Sequence, residues 1–228
     1  MSSRADEPTP APEPTQGWCA REIEEELPGL RLLSAEVSVG RRGSLTGAPP
    51  PDVERRLKEL SNRFRGATAV AVRREPVTSA YRVFFRQIGL DPEVVRTPIE
   101  AALLARMMKG GFLSRGLLAD VLLIALLDTG VPVWALDPAD LDGPLGIRAS
   151  EPGERLGRSA GAPALPAGRL VVADAAASLA VLFGELAPEH APRARSERLA
   201  LFVVQVAGVP ELYADEALWS ARAALEAR

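Results

Sequence analysis

The sequence predicts an α+β protein folded as one compact domain, and three observations carry that prediction. A chain of 228 residues is long enough to bury one substantial core. Apolar residues at helical spacing dominate up to about residue 127, and short β-type apolar runs dominate beyond it. No period of 20 to 50 residues recurs, which excludes repeat architectures. The 47% hydrophobic and 25% charged shares exclude wholesale disorder.

Taken in order, residues 1–17 carry four prolines and no periodic apolar face, so a flexible tail is expected there and a single domain over 18–228. REIEEE before Pro28 and Gly29 predicts a short acidic helix, and LRLLSAEVSV (30–39) the first strand. GSLTG (43–47) reads as a plain loop. Val53, Leu57, Leu60 and Phe64 recur on one helical face from Asp52 onward. ATAVAV (67–72) is expected to be a strand, with helices starting at Thr78/Ser79 and at Asp91-Pro92.

Thr97, Pro98 and Glu100 form a capping-box signature for a helix running to about Met108, stopped by Gly110 and Gly111. LLADVLLIALL (117–127) is apolar nearly all round, which at this length means burial, and its Asp120 then needs a partner or a cleft. Strands are expected at 131–136, 145–149, 168–173, 177–183 and 197–209. A last helix from Pro210 is expected to cover a sheet face with Leu212, Leu218, Trp219 and Leu225.

One cysteine, Cys19, and one histidine, His190, can supply neither an intramolecular disulfide nor a Cys/His zinc cage, and no cofactor or metal is expected. His190 sits in PEHAPRARS and reads as a solvated loop residue. No run approaches the roughly 18 apolar residues of a membrane span, and the N-terminus lacks the order of a secretion signal. A cytoplasmic location with no membrane partner is the expectation.

The net charge of −3 conceals a segregation. Residues 1–36 hold three Arg against eight acids, 37–115 hold 15 Lys and Arg against seven, and 116–228 hold nine against 15. The basic middle can face phosphate, whereas the acidic remainder argues against a DNA partner or broad coating of nucleic acid. Arginine outnumbers lysine 25 to two, which the codons of a GC-rich genome also explain. No phosphate loop, dinucleotide fingerprint, nucleophile elbow or H-E-x-x-H occurs, so the common nucleotide, hydride and metalloprotease chemistries lose support.

SAYRVFFRQIGLDP, RTPIEAALLARMMKGG, LLADVLLIALLDTGVPVWALD and LGIRASEPGE follow one another between residues 79 and 154. Their order and spacing resemble the B3/B4 domain of the phenylalanyl-tRNA synthetase β subunit, in its free-standing form. The strongest local likeness is Asp120 with Gly130, Pro132, Ala135 and Asp137, against the pattern D-x-T-N followed by G-x-P-x-H-A-F-D. GRLVVAD (168–174) and SLAVLFGE (178–185) look like G-x-x-V-x-A-D and A-G-V-M-G-G-E. About residues 27–210 can be laid along the family, with the specific motifs covering about a third of that. The resemblance implies a three-layer domain with a β-sandwich-like core and flanking helices. It also implies binding of the aminoacyl end of tRNA and hydrolysis of tyrosine wrongly attached to the phenylalanine tRNA.

The chain departs from that pattern where chemistry would be done. Leu122 and Leu123 stand at its Thr and Asn, and Trp134 at its His. No catalytic residue is assigned. Glu185 matches the glutamate able to accept a hydrogen bond from a tyrosine hydroxyl, and Asp120, Asp137, Arg148 and Glu154 complete the candidate binding set with Trp134. Each has a structural alternative: a buried Asp120–Arg148 ion pair, a turn cap at Asp137, a surface position for Glu154, a core position for Trp134. Two functions follow. One is hydrolysis of misacylated tRNA in trans, working by held water and the terminal ribose hydroxyl. The other is a non-catalytic module that kept a pocket for RNA or an aromatic amino acid, walled by Leu122, Leu123 and Trp134. A scaffold that contacts another protein through its acidic tail and last helix is a third, for which no residue argues directly.

Overall fold

The computed structural model describes residues 13–39, 44–139 and 141–227. In chain order the elements are β1 (Thr15–Gln16), β2 (Trp18–Cys19), α1 (Arg21–Glu26), β3 (Arg31–Ser38), α2 (Pro51–Arg63), α3 (Ala67–Ala71), α4 (Pro76–Gln87), α5 (Pro98–Lys109) and α6 (Leu117–Thr129). They continue with β4 (Val133–Leu136), β5 (Gly146–Ala149), β6 (Leu170–Ala173), β7 (Ser178–Val181), β8 (Arg198–Gln205) and α7 (Glu211–Glu226). Two four-stranded sheets result, in the orders β1-β3-β8-β4 and β2-β5-β6-β7. All pairs are antiparallel except β2 with β5. The α+β class predicted from the sequence is what the structure has.

β8 lies between β3 and β4 and is buried from Leu199 to Gln205, as its unbroken apolar run demands of a strand covered on both faces. The Tyr81 hydroxyl, fully buried, donates to the Val204 carbonyl at 2.9 Å and ties α4 to that strand. α6 is apolar all round because it separates two packed regions. Leu117, Val121 and Ala125 join the main core. Leu126 and Leu127 pack with Leu60, Phe64, Ile99 and Leu103 of the helical layer. Among the described residues no helix is long and apolar enough to cross a membrane.

Several expectations are corrected. ATAVAV is α3 followed by a 3-10 turn (Val72–Arg74), with Ala69 and Val72, three residues apart, facing Leu60, Phe64 and Leu103. A short Ala-rich run fits either period, and the neighbouring helices offer it a helical slot rather than a sheet edge. α4 starts at Pro76, earlier than expected, and Asp91-Pro92 opens only a turn, closed by the Val94 and Val95 amides on the Asp91 carbonyl. Residues 1–12 of the expected tail and Gly43 of the expected loop lie outside the described residues. Thr15 and Gln16, read as tail, pair with Ser34 and Leu33. On α7 it is Ala214, Ala217, Leu218, Ala221 and Leu225 that face inward, while Leu212 and Trp219 are exposed. The small residues let the helix approach the sheet.

Candidate ligand groove

The sequence-predicted trio of Leu122, Leu123 and Trp134 does converge. With Leu126, Pro132 and Phe183 these residues line an open groove of about 380 Å³, edged by Pro98, Ala101 and Arg96. α6 places Leu122 and Leu123 on the side away from Val121 and Ala125, which are buried in the main core. β4 places Trp134 opposite Phe202 of β8, where the two rings stack with centroids 5.5 Å apart and 14° between planes. Other depressions are as large or larger, such as one of about 570 Å³ between α1, the end of α4 and β6. The groove at Trp134 is distinguished by the residues that meet there.

Phe183 is the residue that sequence reasoning missed. It follows β7 and meets Trp134 edge-on at 5.4 Å, Tyr81 at 5.6 Å, Phe84 at 5.7 Å and Phe85 at 5.3 Å. Its φ of 58° makes it the one non-glycine residue in the left-handed region among the described residues. That conformation costs an ordinary side chain about 1–2 kcal/mol, so the surrounding rings must hold it. The G-G-E pattern has glycine at this place, and the Phe-Gly-Glu of this chain was the available signal. The strand expected over 177–183 spans Ser178–Val181, ahead of the turn that carries Phe183.

The charged candidates are not gathered around the groove. Asp120, 1% exposed, accepts from the Ser114 hydroxyl at 2.5 Å and the Arg115 amide at 2.8 Å, pinning the entry to α6. The expected Asp120–Arg148 pair is absent, because each side chain is satisfied by other partners: Asp120 by the loop before α6 and Arg148 by Glu154 in the turn after β5. Arg148 instead makes a bidentate pair with Glu154, at 2.8 and 2.6 Å. The Glu154 carboxylate also accepts from the Ser178 hydroxyl at 2.5 Å and from the Glu151 amide at 2.8 Å. Arg148, Ser178 and that amide hold the Glu154 carboxyl down at about 2 despite its partial burial. The surface position considered for Glu154 is therefore replaced by a half-buried clamp joining β5, β7 and the 150–154 turn.

Asp137 caps its turn, accepting from Ser196 Oγ at 2.6 Å and the Ala139 amide at 3.1 Å, and the Ser196 donor comes first among the causes that lower its carboxyl. Glu185 is exposed in the turn after β7; its carbonyl accepts from the Val181 amide, and its side chain is not among the groove's walls. His190 is buried, 2% exposed, with Nε2 lacking a hydrogen-bond partner among the described residues and its carbonyl accepting from the Asp137 amide. The solvated reading of His190 is corrected: the polar string PEHAPRARS concealed a 3-10 turn (Pro188–His190) folded against Asp137. Asp174 of GRLVVAD is likewise structural, accepting the Asp142, Ala176 and Ala177 amides and Arg158 Nη2 at 3.0 Å.

These bonds separate scaffold from site, and one expected result follows. Asp120→Ala leaves the Ser114–Gly116 entry without its acceptor and should lower stability by about 1–3 kcal/mol. Urea melts should register that loss as a lower midpoint at equal slope. An Asp120→Ala protein of full stability would show the carboxylate to be dispensable to the fold.

No family model matches the chain. A stretch of 68 residues, 30% of the chain, is 40% identical to part of the phenylalanine–tRNA ligase β subunit of Streptomyces avermitilis. The match spans 8% of that subunit's length. The likeness is partial: it joins a segment of this chain to a small part of a translation enzyme.

Proposed function

We propose that the chain is a binding module for the aminoacyl end of tRNA, recognising it without cleaving the ester. The observation that carries this reading is the groove itself: apolar and aromatic walls, with Arg96 the one charged residue lining it among the described residues. A planar ring, from an aromatic amino acid or the terminal base, suits such walls. The carboxylates that could hold water are engaged elsewhere, Asp120 by Ser114 and the Arg115 amide, Asp137 by Ser196 and the Ala139 amide, and Glu154 by Arg148. The partial likeness to a phenylalanine–tRNA ligase subunit supports tRNA as the partner class.

That likeness also favours a second reading, trans-editing of misacylated tRNA, in which water and the ribose hydroxyl work without a protein base. The test is deacylation of tyrosyl- and phenylalanyl-tRNA for phenylalanine by sub-stoichiometric protein, with equilibrium binding measured beside it. Saturable binding that needs Trp134, without release of amino acid, is the expected result. Multiple-turnover release of tyrosine would establish the second reading, and absence of binding to either tRNA would overturn both.

A further inference from the structure

Arg96 lines two depressions at once. One is the Trp134 groove; the other, of about 220 Å³, lies between α3 and α5 and is walled by Ala69, Val70, Arg73, Leu103 and Met107. Arg73, the other arginine lining the second depression, is committed to carboxylates. Arg73 binds Glu100 and Glu93 at 2.7 Å each, Arg82 binds the same two carboxylates, and Arg56 binds Asp128 at 2.7 Å. Glu100, the one carboxylate lining the second depression, is thus neutralised, and it also closes the capping box with Thr97 at 2.7 Å. Burial alone would raise the Glu100 carboxyl, but the Arg73 and Thr97 donors and the Arg82 charge hold it below the usual range. Arg96 is exposed and has no ion-pair or hydrogen-bond partner among the described residues.

The 91–97 segment that carries Arg96 is fixed at both ends. Glu93 is clamped by Arg73 and Arg82, the Glu93 amide donates to Asp91 Oδ1 at 2.9 Å, and Thr97 is held by Glu100. An uncommitted guanidinium on a pinned loop, between an aromatic-walled groove and a second depression, matches a ligand with a ring followed by an anion and further chain. Given the proposed tRNA reading, on which this rests, we infer that Arg96 binds the phosphate preceding the terminal nucleotide of a single-stranded RNA 3′ end. The terminal base then lies in the Trp134–Phe183 groove, and the strand leaves over Val70 and Met107. The 37–115 segment that carries Arg96 holds 15 basic against seven acidic residues, a charge balance that favours phosphate. A guanidinium fork suits a phosphate oxygen pair in a way an ammonium does not.

The test titrates wild type, Arg96→Ala and Arg96→Lys with a fluorescent single-stranded octaribonucleotide ending in CCA across a salt series. A hexaglutamate peptide serves as competitor. Arg96→Ala is expected to weaken binding about 10-fold and to reduce the slope of log K against log salt by about 0.7, the share of one phosphate contact on a single strand. Arg96→Lys should restore the slope and only part of the affinity. Wild-type binding that Arg96→Ala leaves unchanged in affinity and slope would overturn the role of Arg96 while leaving the tRNA reading intact. Failure of wild type to bind any RNA would overturn both. Hexaglutamate competing as well as RNA would overturn the assignment in favour of an acidic protein partner.

Discussion

Phe183→Gly is expected to be more stable than Phe183→Ala, the reverse of the usual order for these residues. Removing the ring takes contacts from Tyr81, Phe84, Phe85 and Trp134 in either variant. Loss of a large aromatic from a packed site costs about 3–5 kcal/mol, and the half-buried position of Phe183 argues for the lower end. The backbone then separates the two. Alanine at a φ of 58° keeps a penalty of about 1–2 kcal/mol that glycine escapes. Glycine gives back about 0.5–1 kcal/mol through the greater freedom of its unfolded chain. Glycine should come out ahead by about 0.5–1 kcal/mol, read as a higher urea midpoint at equal slope. Both variants should also widen the groove, so ligand affinity changes in parallel while stability does not. An alanine variant at least as stable as the glycine one would show that the left-handed backbone at Phe183 carries no strain.

The second large effect belongs to the Arg148–Glu154 clamp. With Glu154 side-chain exposure at 17% and Arg148 at 23%, the pair is shielded enough to matter but not so deep that desolvation cancels it. Arg148→Met leaves the Glu154 carboxylate with Ser178 and one amide only, and should cost about 2–3 kcal/mol. The same clamp predicts an acid limb. Glu154 titrates at about 2 in the folded protein and near its ordinary 4.5 when unfolded. The unfolded state therefore binds the proton first, and stability falls as pH drops from about 4.5 toward about 2. The contribution is fully present above that window, where it amounts to about 2–3 kcal/mol after allowance for partial exposure. Glu154→Gln should start below wild type at pH 7, show a flatter acid limb, and meet it near pH 2. Parallel wild-type and Glu154→Gln midpoints from pH 7 to pH 2 would refute the linkage.

Much of the local structure was determined by the sequence alone. The Thr97–Glu100 capping box, the face of Val53, Leu57 and Leu60 on α2, and the β-type runs of β3, β5, β6 and β8 are short-range signals that neighbouring residues complete among themselves. The convergence of Leu122, Leu123 and Trp134 was also legible, because an all-round apolar helix followed by a Gly-x-Pro turn brings its end beside the next strand. Tertiary structure decided the rest. Whether ATAVAV is helix or strand depended on which slot its neighbours left open, since its few residues fit both periods. Whether Asp120, Asp137, Arg148 and Glu154 formed a site or three separate supports depended on donors from Ser114, Ser196 and Ser178, two of which are distant in sequence. His190 is buried because a polar segment is covered here from outside its own residues, and a run of Pro and Arg holds no record of that cover. The hub role of Phe183 required five rings from three parts of the chain to meet, and the Arg96 bridge required α3, α5 and α6 to be set side by side. Periodicity and caps act over a few residues, whereas burial, pairing and grooves are properties of elements brought together, which is why the first were readable and the second were not.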